Sequence, residues 1–223
     1  MKGWFVAGTD TGIGKTRVAC ALVHRLRAQG YRTVAMKPVA SGCLRSAHGL
    51  RNEDALALIE ASATAAPYGD VNPYAFEPAI APHIAAAEAH VTVELEVVRA
   101  AYSRLTRDAD AVVVEGLGGW RVPLAPELEA GDLAAAFGLP VVLVVGMRLG
   151  CLNHALLTAS AIASGGCRLA GWVANCIEPA MPRLHENIAT LCERLPAPLL
   201  GTLPFEPAPA ALAASAARLR LPD

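Results

Sequence analysis

Lysine is scarce in this sequence: three residues, at positions 2, 15 and 37, against 16 arginines. A chain that has made nearly all its solvated cations arginine keeps lysine where a compact, rotatable ammonium can enter a phosphate cradle too tight for a planar guanidinium. Lys15 has such a setting. It lies in the run Gly8-Thr9-Asp10-Thr11-Gly12-Ile13-Gly14-Lys15-Thr16, followed at once by Arg17-Val18-Ala19. The glycines let backbone N–H groups turn inward around phosphates, Lys15 reaches the β and γ oxygens of ATP, and Thr16 offers a hydroxyl to Mg²⁺. The helix that follows adds positive potential at its N-terminus. The match to GxxxxGK[ST] is imperfect, because its first position falls on Thr9 while Gly8 sits one residue earlier.

Lys37 closes the run Val34-Ala35-Met36 and precedes Pro38-Val39-Ala40-Ser41-Gly42. Parallel sheets deliver ligand contacts at the carboxyl ends of their strands, so Lys37 is a candidate for the reacting groups themselves. Glu115 ends Ala111-Val112-Val113-Val114 and leads into Gly116-Leu117-Gly118-Gly119-Trp120, where a carboxylate can hold Mg²⁺ and the glycines let ligand approach the backbone. Asp54 begins a helix after Arg51-Asn52-Glu53; acidic residues are common there for dipole reasons, so a metal role and a capping role stand level. Asn175 ends Trp172-Val173-Ala174, and its amide offers a donor and an acceptor to match the N7 and N6 edge of adenine, with a turn-forming role equally open.

The elements that position these residues follow from hydrophobic period. Short apolar, β-branched runs at Gly3–Ala7, Thr33–Met36, Ala111–Val114, Val141–Val145, Leu169–Ala174 and Leu199–Leu203 predict strands. Helical period predicts helices at Lys15–Ala28, Glu53–Ala61, Val93–Arg107, Gly131–Phe137, Cys151–Ser164, Met181–Leu195 and Pro209–Arg218. The alternation argues for an α/β fold, a mostly parallel sheet with helices on both faces. The stretch Tyr68–His83, with prolines at 73, 78 and 82, breaks the alternation and reads as an irregular loop.

Composition narrows the function. At 223 residues the expectation is one domain, residues 1–223. A net charge of −1 with no basic run leaves no source for counterion-release affinity, which argues against nucleic acid and anionic membrane as partners. The six cysteines include no CxxC pair, which signals neither zinc nor a redox motif and suits a reduced, cytoplasmic chain. No signal peptide or membrane-spanning run is evident, and the six histidines, without metal-ligand spacing, read mostly as surface or loop residues.

With the loop, Lys37 and Glu115 in place, the sequence resembles the dethiobiotin synthetase family along nearly its whole length. The likeness is carried by Gly8–Thr16, Lys37–Gly42, Val71–Phe76 with Pro82-His83, Glu115–Trp120, Leu149–His154, Asn175, and Gly201–Phe205. The resemblance implies a P-loop NTPase-like ligase that closes the ureido ring of dethiobiotin from 7,8-diaminopelargonic acid, CO₂ and ATP. It implies that Lys37, Lys15 and Thr11 act on the reacting groups, and that Thr16, Asp54 and Glu115 hold Mg²⁺. It also implies nucleotide contacts at Gly12, Ile13, Gly14, Lys15, Thr16, Arg17, Asp54, Glu115, Gly116, Leu117, Gly118, Asn175, Cys176, Pro204, Phe205 and Glu206. Substrate contacts are implied for Ser41 and Gly118, and for Gly150, Cys151 and Asn153 across a homodimer interface. Leu117 and Ala81 depart from residues frequent in the family, a small one and a hydroxyl one respectively.

Two other functions share the phosphate loop. A ligase related to cobyrinate diamide synthase needs a glutaminase domain, for which the length leaves no room. A regulatory ATPase switch would use the loop but not Lys37, and many such proteins carry a second lysine where this chain has Asp10.

Overall fold

The computed structural model describes residues 1–206 and 212–222. Six strands form its central sheet: β1 (Lys2–Gly8), β2 (Thr33–Met36), β3 (Ala111–Glu115), β4 (Val141–Met147), β5 (Leu169–Cys176) and β6 (Leu199–Leu203). All pairings are parallel, in the order β6-β5-β4-β1-β3-β2. The chain passes from β1 to the edge strand β2, returns to β3 beside β1, then crosses to β4 and builds outward through β5 and β6, and ligand crevices form outside the carboxyl ends at such a switch point. Strands covered on both faces read as continuous apolar runs, and every residue of β3 and β4 is buried.

The helices are α1 (Lys15–Ala28), α2 (Glu53–Ser62), α3 (Tyr68–Val71), α4 (Pro82–Glu88), α5 (Leu95–Thr106), α6 (Ala130–Phe137), α7 (Cys151–Ser164), α8 (Leu184–Arg194) and α9 (Leu212–Ala216). Strand side chains alternate between two cores. Phe5, Val112, Val114, Leu143 and Trp172 meet α5, α6, α7 and α8 on one face through residues such as Val98, Leu133, Ile162 and Leu191. Trp4, Val6, Val113, Val144 and Val173 meet Val18, Leu22 and Leu26 of α1 and Leu58 of α2 on the other.

The six predicted strands and the first six predicted helices are present within three residues of their expected bounds. The seventh, Pro209–Arg218, is α9 over Leu212–Ala216 but a turn at Ala217 and Arg218, and its first three residues lie outside the described residues. The stretch Tyr68–His83 is not the irregular loop expected. It holds α3, a two-residue parallel pairing of Tyr74-Ala75 with Val39-Ala40, and the start of α4, which has Pro82 at its first turn. Proline at a helix start costs no backbone hydrogen bond, so it marks a boundary there rather than an absence of structure. Two short antiparallel hairpins, Leu44–Ser46 with Gly49–Arg51 and Pro123–Ala125 with Leu128–Glu129, were also not foreseen.

Candidate active site

Two loops converge at the carboxyl ends of β1, β2 and β3. The loop after β1 carries left-handed glycines at Gly12 (φ 72°) and Gly14 (φ 85°), and Gly14 precedes α1 with no side-chain cap on the helix. Its first N–H groups are thus available to an anion. A Cβ on Gly14 would stand 2.2 Å from the Asn175 amide nitrogen, so only glycine fits there. The loop after β3 comes close as well: a Cβ on Gly118 (φ 55°) would lie 3.4 Å from Thr11 Oγ1.

Lys15, 7% exposed, donates through Nζ to the Asp10 carbonyl oxygen at 2.8 Å. Burial, with Lys37 close by, lowers its pKa to about 8. The Asp10 side chain accepts from the Thr11 N–H at 2.7 Å and pairs with Arg148, which lies just beyond β4.

A charge network lies beside the loop. Lys37 Nζ is 2.6 Å from Glu115 Oε1 and 3.1 Å from Asp54 Oδ2, and it donates to the Gly116 carbonyl at 3.0 Å. Thr16 Oγ1 donates to the same Glu115 oxygen at 2.9 Å. Burial works against the Lys37 ammonium, but the Glu115 and Asp54 carboxylates outweigh it and hold the pKa above its ordinary value. Burial pushes the Glu115 carboxyl up while Lys37 pulls the other way. Asp54 is lowered despite its own burial, because Lys37 and Thr16 favour the charged form.

The backbone that presents these groups is fixed in turn. Asn52 caps α2 by accepting from the Ala55 N–H at 3.2 Å, which sets Asp54 in the first turn. The Asn72 amide donates to the Lys37 carbonyl at 2.7 Å, and Tyr68 Oη donates to Asn72 at 2.9 Å while accepting from the Asn52 N–H at 2.8 Å. Sequence reasoning missed Asn72, Tyr68 and Arg148. The bonds that place Tyr68 and Asn72 run to residues distant in sequence, so no local pattern signals them.

A cleft of ≈720 Å³ gathers Thr11, Gly12, Gly14, Lys15, Thr16, Lys37, Ser41, Asp54, Glu115, Leu117 and Gly118, together with Ala81. Ser41 Oγ and Glu115 Oε2 are buried there without a hydrogen-bond partner among the described residues. A buried carboxylate oxygen left unpaired asks for a ligand. The hydroxyl of Thr16 and the carboxylates of Asp54 and Glu115 form a hard-oxygen set that suits Mg²⁺.

On the other side of the loop, Asn175 Nδ2 donates to the Ile13 carbonyl at 2.7 Å. Cys176, Pro204 and Phe205 line a neighbouring groove of ≈580 Å³, and Glu206 pairs with Arg17 at 3.1 Å. The last expected group does not reach the cleft. Gly150 (φ 96°) and Asn153 are exposed at the start of α7, Leu149 is 96% exposed, and Cys151 is buried with its N–H donating to the Arg148 carbonyl at 3.0 Å.

Residues 2–211 match the AAA domain family model. Among curated proteins, the ATP-dependent dethiobiotin synthetase BioD of Pseudomonas paraeruginosa strain PA7 is 58% identical over 219 residues, covering 96% of this chain and 95% of the relative. The Xylella fastidiosa strain 9a5c protein of the same name is 55% identical over 217 residues, covering 96% of each chain. Among solved structures, the MinD cell division protein of Aquifex aeolicus superposes with a TM-score of 0.60 at 14% identity, covering 96% of this chain and 86% of that one. That likeness speaks to the fold alone. No helix among the described residues is long and apolar enough to cross a membrane.

Proposed function

The chain belongs to the ATP-dependent dethiobiotin synthetases, and from that membership we infer that it forms the cyclic urea of dethiobiotin from 7,8-diaminopelargonic acid, CO₂ and ATP, releasing ADP and phosphate. An amine of the substrate takes up CO₂ as a carbamate. A carbamate oxygen attacks the γ-phosphorus as the bond to ADP breaks, and the second amine then displaces phosphate to close the ring. Each stage concentrates anionic oxygen, so positioning and electrostatics suffice and no protein nucleophile is required.

The observation that carries this reading is the convergence of Lys15 and Lys37 on one cleft with Ser41 and Thr11. Lys15 leaves the Asp10 carbonyl for the transferring phosphoryl group, and Lys37 offers its charge to the carbamate. The unpartnered Ser41 hydroxyl donates to substrate oxygen. Thr16, Asp54 and Glu115 would hold Mg²⁺, which when bound neutralises charge on the β and γ phosphates. Gly12 to Arg17 and Gly116 to Gly118 border the triphosphate, while Asn175, Cys176 and Pro204 to Glu206 flank the base.

The exposed start of α7 fits a different task. Gly150 and Asn153 would receive the substrate carboxylate held in the partner's cleft of a homodimer, where uncapped helix N–H groups suit an anion. Cys151 contributes through position alone, its thiol being buried.

Incubation with the diamino acid, labelled bicarbonate and Mg-ATP is expected to give a labelled cyclic urea with one ADP per product. ATP hydrolysis without incorporation of label would overturn the ligase reading.

A further inference from the structure

Arg17 follows the phosphate-loop threonine directly, yet its side chain contacts the base side of the site. Its Nη1 donates to the Pro204 carbonyl at 2.8 Å and to Asn175 Oδ1 at 3.2 Å; its Nε donates to Ser215 Oγ at 3.0 Å. Its Nη2 pairs with Glu206 at 3.1 Å. One guanidinium thus ties the first turn of α1 to the end of β5, to the segment after β6 and to α9. A single ammonium could not reach so many directions at once.

The consequence falls on Asn175. Its amide is clamped between partners of opposite polarity: the Ile13 carbonyl takes Nδ2 and Arg17 takes Oδ1. That arrangement permits one orientation of the amide and leaves one N–H and one oxygen lone pair to face a ligand. Adenine presents an acceptor at N7 and a donor at N6, whereas guanine presents acceptors at both N7 and O6. A fixed amide therefore matches adenine and leaves a lone pair facing O6 of guanine.

We propose that Arg17 is a positioning residue that locks the Asn175 amide and the Pro204 carbonyl in register, and so sets the preference for ATP over GTP. The proposal rests on the reading above that Asn175 faces the base.

The test measures kcat and KM for ATP, GTP and 7-deaza-ATP, which lacks the N7 acceptor, in wild type, Arg17→Met, Arg17→Lys and Ser215→Ala. Wild type is expected to favour ATP over both analogues. In Arg17→Met the KM for ATP rises about tenfold, and both penalties shrink by about tenfold, the scale of one bidentate base contact. The KM for diaminopelargonic acid stays within about twofold, because the cleft around Lys37 shares none of these bonds. Arg17→Lys falls between, and Ser215→Ala moves the same ratios by a smaller factor. A variant that loses kcat equally for all three nucleotides, with ratios intact, overturns the proposal and leaves Arg17 a structural tie. Should Arg17→Met be insoluble, Ser215→Ala decides alone, unchanged ratios counting against the proposal. A wild type without any penalty for 7-deaza-ATP or GTP would instead overturn the base reading of Asn175, and the positioning role with it.

Discussion

Strands β2 and β3 lie side by side and are clipped together by an ion pair at each end. At their amino ends, Arg32 and Asp110 meet through two side-chain hydrogen bonds of 2.9 and 3.0 Å, and the Arg32 N–H adds a third at 3.0 Å. At their carboxyl ends, Lys37 and Glu115 meet at 2.6 Å. The first pair has the richer geometry, but its side chains are 71% and 40% exposed, against 5% and 1% for the second. Water and salt screen the Arg32 pair, so its ideal fork adds little. The Lys37 pair has given up hydration on both sides, and neither charge is at rest without the other. The same sheet thus uses one kind of contact as a surface clip and as a stored charge aimed at a ligand.

The largest effect should come from breaking the buried end. Lys37→Gln is expected to lower kcat by about 10²–10³-fold, the scale for losing one preorganised electrostatic contact to a developing charge. ATP binding, measured by calorimetry, should persist, because the backbone cradle and Lys15 are untouched. Removing one partner of a buried pair costs about 3–5 kcal/mol where the other charge stays, so the variant should also melt lower. Lys37→Arg should fail too, since a planar fork cannot occupy the point between Glu115 and Asp54. Wild-type turnover in both variants would make the two ends of the strand pair equivalent and return Lys37 to a mere strand terminus.

A middle-sized effect sharpens why the carboxyl end holds its shape. Tyr68 Oη bridges the Asn52 N–H and Asn72, and Asn72 fixes the Lys37 carbonyl. Tyr68→Phe leaves Asn72 and the α2 N-terminus short of a partner, at about 1–2 kcal/mol of stability. A small misplacement of Lys37 is then expected to cost about three- to tenfold in kcat, with little change in KM for ATP. An unaltered kcat with lowered melting temperature would make Tyr68 a stability residue only.

Lys37 and Glu115 were legible because they are charged residues at the ends of apolar strands, and because lysine is rare enough here for its survival to mean something. Asn175 was legible for the same positional reason, and Thr16 from the phosphate-loop pattern that opens α1. Tyr68 and Asn72 were not, since their bonds run to backbone atoms of residues up to 35 positions away and nothing in a local window encodes them. Prolines 73, 78 and 82 masked the order in that stretch, because proline marks helix starts as readily as loops. Arg17 was placed in the nucleotide site by its neighbours in sequence. The reach of its side chain to Asn175, Pro204 and Ser215, up to 198 residues distant, is a property of the folded sheet edge.

The smallest effect belongs to the exposed clip and is visible mainly in acid. Two kinds of hydrogen bond from Arg32, side chain then backbone, hold the Asp110 carboxyl down from 3.8 to about 2. A depressed carboxylate adds stability above its unfolded pKa and loses it as pH falls through the folded value. The contribution is therefore full at neutral pH, declines below about pH 5 and is mostly lost by about pH 2. Asp110→Asn should melt slightly below wild type at pH 7, and the gap should close as the pH approaches 2. Added salt at pH 7 should narrow the same gap, because screening reaches exposed charges first. Turnover at pH 7 should match wild type, since Asp110 stands at the opposite end of β3 from the cleft. A gap that persists at pH 2 or resists salt would mean that the clip works through packing, and the contrast between the two ends of the strand pair would then lie in position rather than in exposure.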